Sequence, residues 1–489
     1  MTENSFYWHD YETFGVDPQR DRAVQFAGIR TDFDFNILGE PLVIYCQPTD
    51  DTLPQPEACC ITGISPQLAA EKGVCEAEFI TQIHKQMAQE NTCTLGYNNL
   101  RFDDEVTRNL LYRNFYDPYA REWQNGNSRW DLIDLTRTVH ALRPEGIHWP
   151  INAEGKVSFR LEKLSVANGI EHAAAHDALS DVHATIALAK LIKQQQPKLF
   201  QFFLQNRSKQ QVKQLLKIGS YTPVVHVSGM YGAEKQYLSL VLPLCQHPVN
   251  NNGVVVYDLS VDPKAMLKLS VEEIQQRIFT AKADLPEGIE RIPLKTIHIN
   301  KCPIVAPAKV LRPQDADRLH IDVEQCQKHK NLIQQSGDLQ TKLNKVFSGH
   351  PFASDAASDP DLMIYSGGFF SAKEKQSMHK LHATKPEQLA DFTFQGGDSR
   401  LAEMLFRYRA RNYPETLKTK EIKRWQQFCT TRLSTKNTDG FLDFGTYQQK
   451  INQLKQQKGI DSQLLKNLEQ YAIDLQKKLK IYNNICAES

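Results

Sequence analysis

Phe6-Tyr7-Trp8-His9-Asp10-Tyr11-Glu12 is the stretch on which the reading of this chain turns. Three aromatic residues lead into two carboxylates spaced two apart. Side chains alternate across a strand, so Asp10 and Glu12 leave the same face and can share one cation. The spacing alone says little, because Asp322-Val323-Glu324 repeats it and such pairs often line a solvated strand edge. The apolar lead is what separates the two cases. It predicts a central strand, where a charge needs a partner or a metal.

Outward from that strand, the first 190 residues read as a mixed α/β unit. Val24–Thr31 and Leu42–Cys46 are further strand-like runs on short polar links, which predicts an antiparallel three-stranded start. Helical spacing follows at Glu76–Gln89, then a strand at Thr92–Tyr97, then helices at Asp131–Leu142 and Ala178–Lys193. The glutamine-rich run Lys193–Lys198 is taken as the first boundary. Beyond it, Thr222–Ser228, Tyr237–Leu244 and Val254–Leu259 are short β-branched runs with Asn251-Asn252-Gly253 as a turn, implying a small β-rich domain. Ser348–Asp361 is taken as the second boundary, and the periods after it are helical. The expected domains are 1–195, 196–350 and 351–489.

Two more acidic motifs fall in the first unit. Asp103 follows the turn Asn98-Asn99 at a helix start, where an acidic first turn is also favoured by the helix dipole. That structural role suits Asp104 and Glu105. His176 and Asp181 form an H-x4-D, a spacing shared by His172 with Asp177 and His350 with Asp355. Five residues on a helix turn through about 140°, so His176 and Asp181 converge only if the histidine precedes the helix. Each motif alone is unspecific.

Composition sets the frame. The chain has 489 residues, 41% hydrophobic and 24% charged, a profile of a soluble globular protein with more than one domain. No apolar run approaches the ~20 residues of a membrane span, and the polar N-terminus carries no signal-peptide pattern, so a cytoplasmic location is expected. Ten cysteines are scattered without metal-ligand spacing. Net charge is +1, unevenly distributed: Arg400–Ser489 holds 17 Lys and Arg against 9 Asp and Glu, which leaves the first 399 residues at −7. An acidic front and a basic back suit a metal-binding unit joined to parts that hold a phosphate backbone.

Taken in order, the strand D-x-E, the Asp at a strand-to-helix turn and the H-x4-D before a later helix resemble the three motifs of the DEDDh exonuclease superfamily. Within it, the chain resembles bacterial exonuclease I. The blocks His9–Gly15, Gly96–Glu105, Ser158–Glu162, His176–Val182 and Leu405–Asn412 carry that likeness across essentially the whole chain. The resemblance implies a ribonuclease H-like domain, an SH3-like domain and a helical C-terminal domain. It also implies processive 3′→5′ hydrolysis of single-stranded DNA to 5′-mononucleotides, in DNA repair and recombination. Four carboxylates make an oxygen cage for two Mg²⁺ ions, with Mn²⁺ as a substitute. The expected ligands are Asp10, Glu12, Asp103 and Asp181, with His176 as general base. Glu12, Thr13 and the backbone to Gly15 would seat the 3′ end, and Arg160 would hold a phosphate. Arg143 would contribute to a pocket for the C-terminal tail of single-strand DNA-binding protein. Phe406, Arg407, Tyr408, Arg409, Arg411 and Tyr413 interleave aromatic and basic groups, which suits either base stacking or helix-core packing. A monomer is expected. The alternatives are an exonuclease of the same superfamily acting on RNA, which would need only the first domain, and a non-catalytic single-strand binder, which would have no use for crowded carboxylates.

Overall fold

The computed structural model describes residues 4–172, 176–348, 359–434 and 439–480. The chain divides into two compact units. One comprises Met1–Ser128, Ala173–His183 and Ser354–Ser489, the other Arg129–His172 and Ala184–Ala353.

Asp10 and Glu12 belong to a five-stranded sheet of order β3-β2-β1-β4-β5, formed by β1 (Ser5–Thr13), β2 (Ala23–Thr31), β3 (Leu42–Tyr45), β4 (Thr92–Gly96) and β5 (Ser128–Asp131). β1 is the central strand. It pairs antiparallel with β2 and parallel with β4, and β2 pairs antiparallel with β3. The sheet is therefore mixed and begins with the antiparallel trio that the sequence predicts. Its strands are rich in β-branched and aromatic residues, which fit a pleated, packed surface. Trp8 is fully buried, and its indole N–H donates to Thr31 Oγ1 at 2.9 Å.

Two helices complete the core on the Tyr7/Tyr11 face. Glu76–Met87 places Phe79, Ile80, Ile83 and Met87 on one stripe, and Asp103–Arg113 adds Val106, Leu110 and Leu111. The three-and-four spacing is what makes that stripe. Truncating fully buried Phe79 to alanine would cost about 3–5 kcal/mol.

The C-terminal part of this unit is helical throughout its described residues, with Arg400–Asn412, Thr419–Ser434, Phe444–Lys455 and Ser462–Lys478 as its longer segments. Phe406, Ala410, Trp425, Cys429 and Tyr447 pack with Phe14 and Val24 of the sheet region in one core cluster. Here the choice left open between base stacking and helix-core packing is resolved. Phe406 and Tyr408 are buried in cores, and Tyr413 packs against Tyr408 with ring centroids 5.8 Å apart. Arg407, Arg409 and Arg411 are buried too, paired with Asp359 and Asp361, with Glu421, and with Asp51 and Asp361 respectively. These aromatic and basic groups are committed to the fold, so base stacking is not their role.

Asp51, Glu76, Asp359 and Asp361 form a buried ion network with Arg22, Arg113, Arg407, Arg411 and Arg432. No side chain in it is more than 8% exposed. Asp51 alone accepts from Arg22 at 3.2 Å, Arg411 at 2.9 Å and Arg432 at 2.9 Å. Burial by itself would push Asp51 up, but the guanidiniums of Arg411, Arg22 and Arg432 hold it well below the usual carboxylate range.

The second unit is built on a second sheet, of order β10-β6-β7-β8-β9. Its strands are β6 (Val224–Val227), β7 (Leu238–Gln246), β8 (Gly253–Asp258), β9 (Leu294–His298) and β10 (Ile304–Pro307), and every neighbouring pair is antiparallel. Helices enter between and after these strands, among them Val271–Phe279, fixed by a Ser270/Glu273 capping box, and Val323–Gln334. Asp322 caps the latter by accepting from Gln325 N at 2.8 Å, which accounts for the second D-x-E structurally. Most of the boundary at Ser348–Asp361, and with it His350 and Asp355, lies outside the described residues. Among the described residues, no helix is long and apolar enough to cross a membrane.

Candidate active site

The site is built at the end of the central strand. Because β1 alternates, Asp10 and Glu12 project from the face opposite Tyr11, whose ring packs into the core against Phe26 at 4.8 Å between centroids. The helix Ala178–Gln195 supplies Asp181 from its first turn. Carboxylate oxygens of Asp10, Glu12 and Asp181 all lie within 4.8 Å of one another. Asp103 opens the helix that follows β4. One of its oxygens accepts from Tyr11 N at 3.2 Å, and its charge acts on both Asp10 and Glu12.

Electrostatics register the crowding. Burial pushes Asp10 well above the ordinary carboxylate range, and the charges of Asp103, Glu12, Asp181 and Asp177 push it further. Glu12 is raised from 4.5 to about 8, first by burial and then by Asp181, Asp103 and Asp177. Like charges withdrawn from water raise one another's proton affinity. A divalent cation bound among them reverses the sign of that environment. The donor set is all oxygen, which fits a hard cation of the Mg²⁺ type.

The other motif residues take definite places. His176 is exposed, in a turn with φ +65°, directly ahead of the helix rather than on it. That is the placement which the H-x4-D spacing requires if His176 is to converge with Asp181. Asp104 is fully buried against Arg121 at 2.8 Å, and Glu105 meets Arg108 at 2.6 Å, so both serve the fold. After Glu12 the register shifts by a bulge, and Thr13 Oγ1 donates to Gly15 O at 2.6 Å. A Cβ on Gly15 would stand 2.1 Å from an Asp21 carboxylate oxygen, so a larger residue there would displace the Asp21 side chain.

Arg160 and Arg143 belong to the second unit. Arg160 is exposed at the start of the helix Leu161–Ala167, with Glu162 at 3.7 Å. Arg143 ends the helix Leu132–Leu142, pairs with Asp315 at 2.7 Å and donates to Val310 O at 3.0 Å. It lines a cavity of about 580 Å³ together with Lys198, Phe202, Pro307 and Lys309.

Two neighbours of the site were not assigned to it from the motifs. Asp177 caps the helix that carries Asp181, accepting from Ser180 N at 3.1 Å, and Gln25 donates to Asp177 Oδ2 at 3.3 Å. Asp177 offered a signal, an N-cap residue type just ahead of an apolar period. Gln25, inside a strand, offered none.

Known proteins carry the same architecture. Residues 7–189 match an exonuclease family, 207–349 the exonuclease I SH3-like domain and 358–475 the exonuclease I C-terminal domain. Exodeoxyribonuclease I of Escherichia coli K12 is 46% identical over 477 residues, covering 97% of this chain and 98% of the relative. A crystal structure of Escherichia coli exonuclease I with a dA16 oligonucleotide superposes with TM-score 0.90 at 45% identity, over 97% of this chain and 100% of that one. A crystal structure of SSB/exonuclease I with an inhibitor gives TM-score 0.87 at 44% identity, over 97% and 100%. This chain belongs to the exonuclease I family, whose activity is the exonucleolytic hydrolysis of single-stranded DNA.

Proposed function

We propose that this exonuclease removes nucleotides processively from the 3′ end of single-stranded DNA, with Asp10, Glu12, Asp103 and Asp181 holding two Mg²⁺ ions. The observation that carries the reading is the convergence of Asp10, Glu12 and Asp181 within 4.8 Å in a partly buried, mutually repelling cluster. Carboxylates packed this way without a cation weaken the fold for no structural gain. When bound, the metal ions supply Lewis acidity toward the scissile phosphate and its leaving oxygen.

The chain's own groups do the rest. His176, on an exposed turn just ahead of the helix that carries Asp181, takes the proton of the attacking water at an imidazole nitrogen. Glu12 accepts from the terminal 3′ hydroxyl, and the bulged turn Thr13–Gly15 seats that end against its backbone. Arg160, free to reach outward, donates to a phosphate oxygen. The Arg143 cavity pairs cationic Lys198 and Lys309 with apolar Phe202 and Pro307, a lining suited to the acidic C-terminal tail of single-strand DNA-binding protein. The enzyme acts as a monomer in the cytoplasm.

The test uses 5′-labelled single-stranded DNA, matched RNA and duplex, each incubated with the protein and Mg²⁺, with Asp181→Ala as control. Stepwise shortening of the single-stranded DNA alone, abolished by the substitution, is expected. Preferential decay of RNA, or DNA that is bound and left intact, would contradict the proposal.

A further inference from the structure

Gln25 lies on β2 directly across from Glu12 in the antiparallel register, and it is 1% exposed. Residues paired across antiparallel strands present their side chains on one face, so its amide is directed toward the acidic cluster. That amide makes three contacts. Nε2 donates to Tyr45 Oη at 3.0 Å and to Asp177 Oδ2 at 3.3 Å, and Oε1 accepts from Ala178 N at 3.4 Å. Asp177 in turn accepts from Ser180 N through Oδ1 at 3.1 Å and from Asp181 N through its carbonyl at 3.0 Å. A continuous set of hydrogen bonds thus runs from the strand beside Glu12 to the helical turn that carries Asp181 and follows His176.

The chemistry at position 25 is specific. An amide offers a donor toward the Asp177 carboxylate and an acceptor toward a backbone N–H in one planar fork. A glutamate would keep the acceptor, lose the donor and place another negative charge beside Asp177 and Glu12. A methionine would fill the same length and make none of the three bonds.

We infer that Gln25 is a positioning residue for the reaction: by bracing Asp177 and the Ala178 amide, it sets where Asp181 and His176 stand relative to Asp10 and Glu12. It touches no substrate and acts only through that helix start. The inference rests on the roles proposed above for Asp181 and His176.

The test is steady-state hydrolysis of 5′-labelled single-stranded DNA with Mg²⁺ by the full chain carrying Gln25→Glu, Gln25→Met, or Gln25→Glu combined with Asp177→Asn. Melting curves confirm that each variant is folded. The double substitution exchanges donor and acceptor: the new amide donates to the new carboxylate and still caps the helix, and the Tyr45 hydroxyl turns to donate. Both single substitutions are expected to lower kcat by about 10–100-fold, as losses of outer-shell support do, and to change KM by less than about twofold. The double variant is expected to recover at least about tenfold of the loss from Gln25→Glu, because the hydrogen bond and the local charge return. A kcat for Gln25→Glu within about twofold of the parent, or a double variant no faster than Gln25→Glu, would overturn the inference. Asp181→Ala, run alongside, separates the two claims. If it stays active the active-site reading has failed, whereas if it is inactive and Gln25→Glu is unaffected only the role of Gln25 has failed.

Discussion

Asp10 and Asp51 lie in the same compact unit, each set among several other charged groups, and their surroundings act in opposite directions. Around Asp10 the neighbours that move its proton affinity are Asp103, Glu12, Asp181 and Asp177, and the carboxyl is driven up. Around Asp51 they are Arg411, Arg22 and Arg432, and the carboxyl is held down. Either cluster costs desolvation. The second offsets that cost internally, with nine side chains that tie C-terminal helices to the sheet region. The first leaves it outstanding until a cation arrives. The contrast separates a structural cluster from a reactive one, since strongly perturbed groups gather where chemistry is done.

Breaking each cluster should give opposite results. Asp10→Asn is expected to lower kcat on single-stranded DNA by about a thousandfold, the equivalent of several kcal/mol of charge stabilisation. It should leave metal-free melting unchanged or raise it, because one source of repulsion is gone. Asp51→Asn should do the reverse. It leaves Arg22, Arg411 and Arg432 short of their shared carboxylate and should cost about 3–5 kcal/mol in denaturant titrations, while activity per folded molecule stays within about twofold. If Asp51→Asn proved the more damaging to turnover, the division between the clusters would collapse.

Acidity sharpens the comparison. In the folded chain without metal, Glu12 at about 8 keeps its proton where the unfolded chain, at 4.5, has lost it. Folding then binds protons, so this contribution favours the fold below pH 4.5 and is lost as pH rises toward 8. Glu76, drawn down to about 2 by Arg113 and Arg22 against the upward push of burial, contributes stability that is complete above 4.5 and lost as pH falls toward 2. Denaturant titrations in chelator should show both limbs. Added Mg²⁺ should erase the alkaline loss and leave the acid one.

The smallest effect is expected at Arg160. Its contact with Glu162 is exposed and contributes little, so Arg160→Ala should leave stability within about 0.5 kcal/mol. KM should rise several-fold, and the salt dependence of DNA binding should weaken by about one counterion. An unchanged salt slope would remove Arg160 from the phosphate path.

Much of this was legible in the residues. The aromatic lead into Asp10 and Glu12 marks a central strand because only buried positions favour three consecutive aromatics, and β1 is indeed the middle strand. Helices such as Glu76–Met87 announce themselves by period. β9 and β10 did not: Leu294–His298 breaks the strand period with adjacent Lys295 and Thr296, Ile304–Pro307 is four residues ending in proline, and both depend on partners supplied by the rest of the sheet. The arginines of Arg407–Arg411 misled for a related reason. Arg407 and Arg411 pair with Asp51, Asp359 and Asp361, 46 to 360 residues away, and no local pattern shows pairings at that distance. Gln25 was hidden likewise, since its partner Asp177 lies 152 residues on.

The central claim is that the Asp10 cluster is a divalent-cation site, and the most direct measurement is a calorimetric titration of Mn²⁺ into the metal-free chain near pH 7, in buffers of different ionisation heat. The account predicts two ions per chain, with protons released as they bind because Glu12, raised to about 8, enters the site protonated. In Asp10→Asn at least one ion and its protons should be lost. Equal binding by the parent and Asp10→Asn, or binding with no proton release, would contradict it.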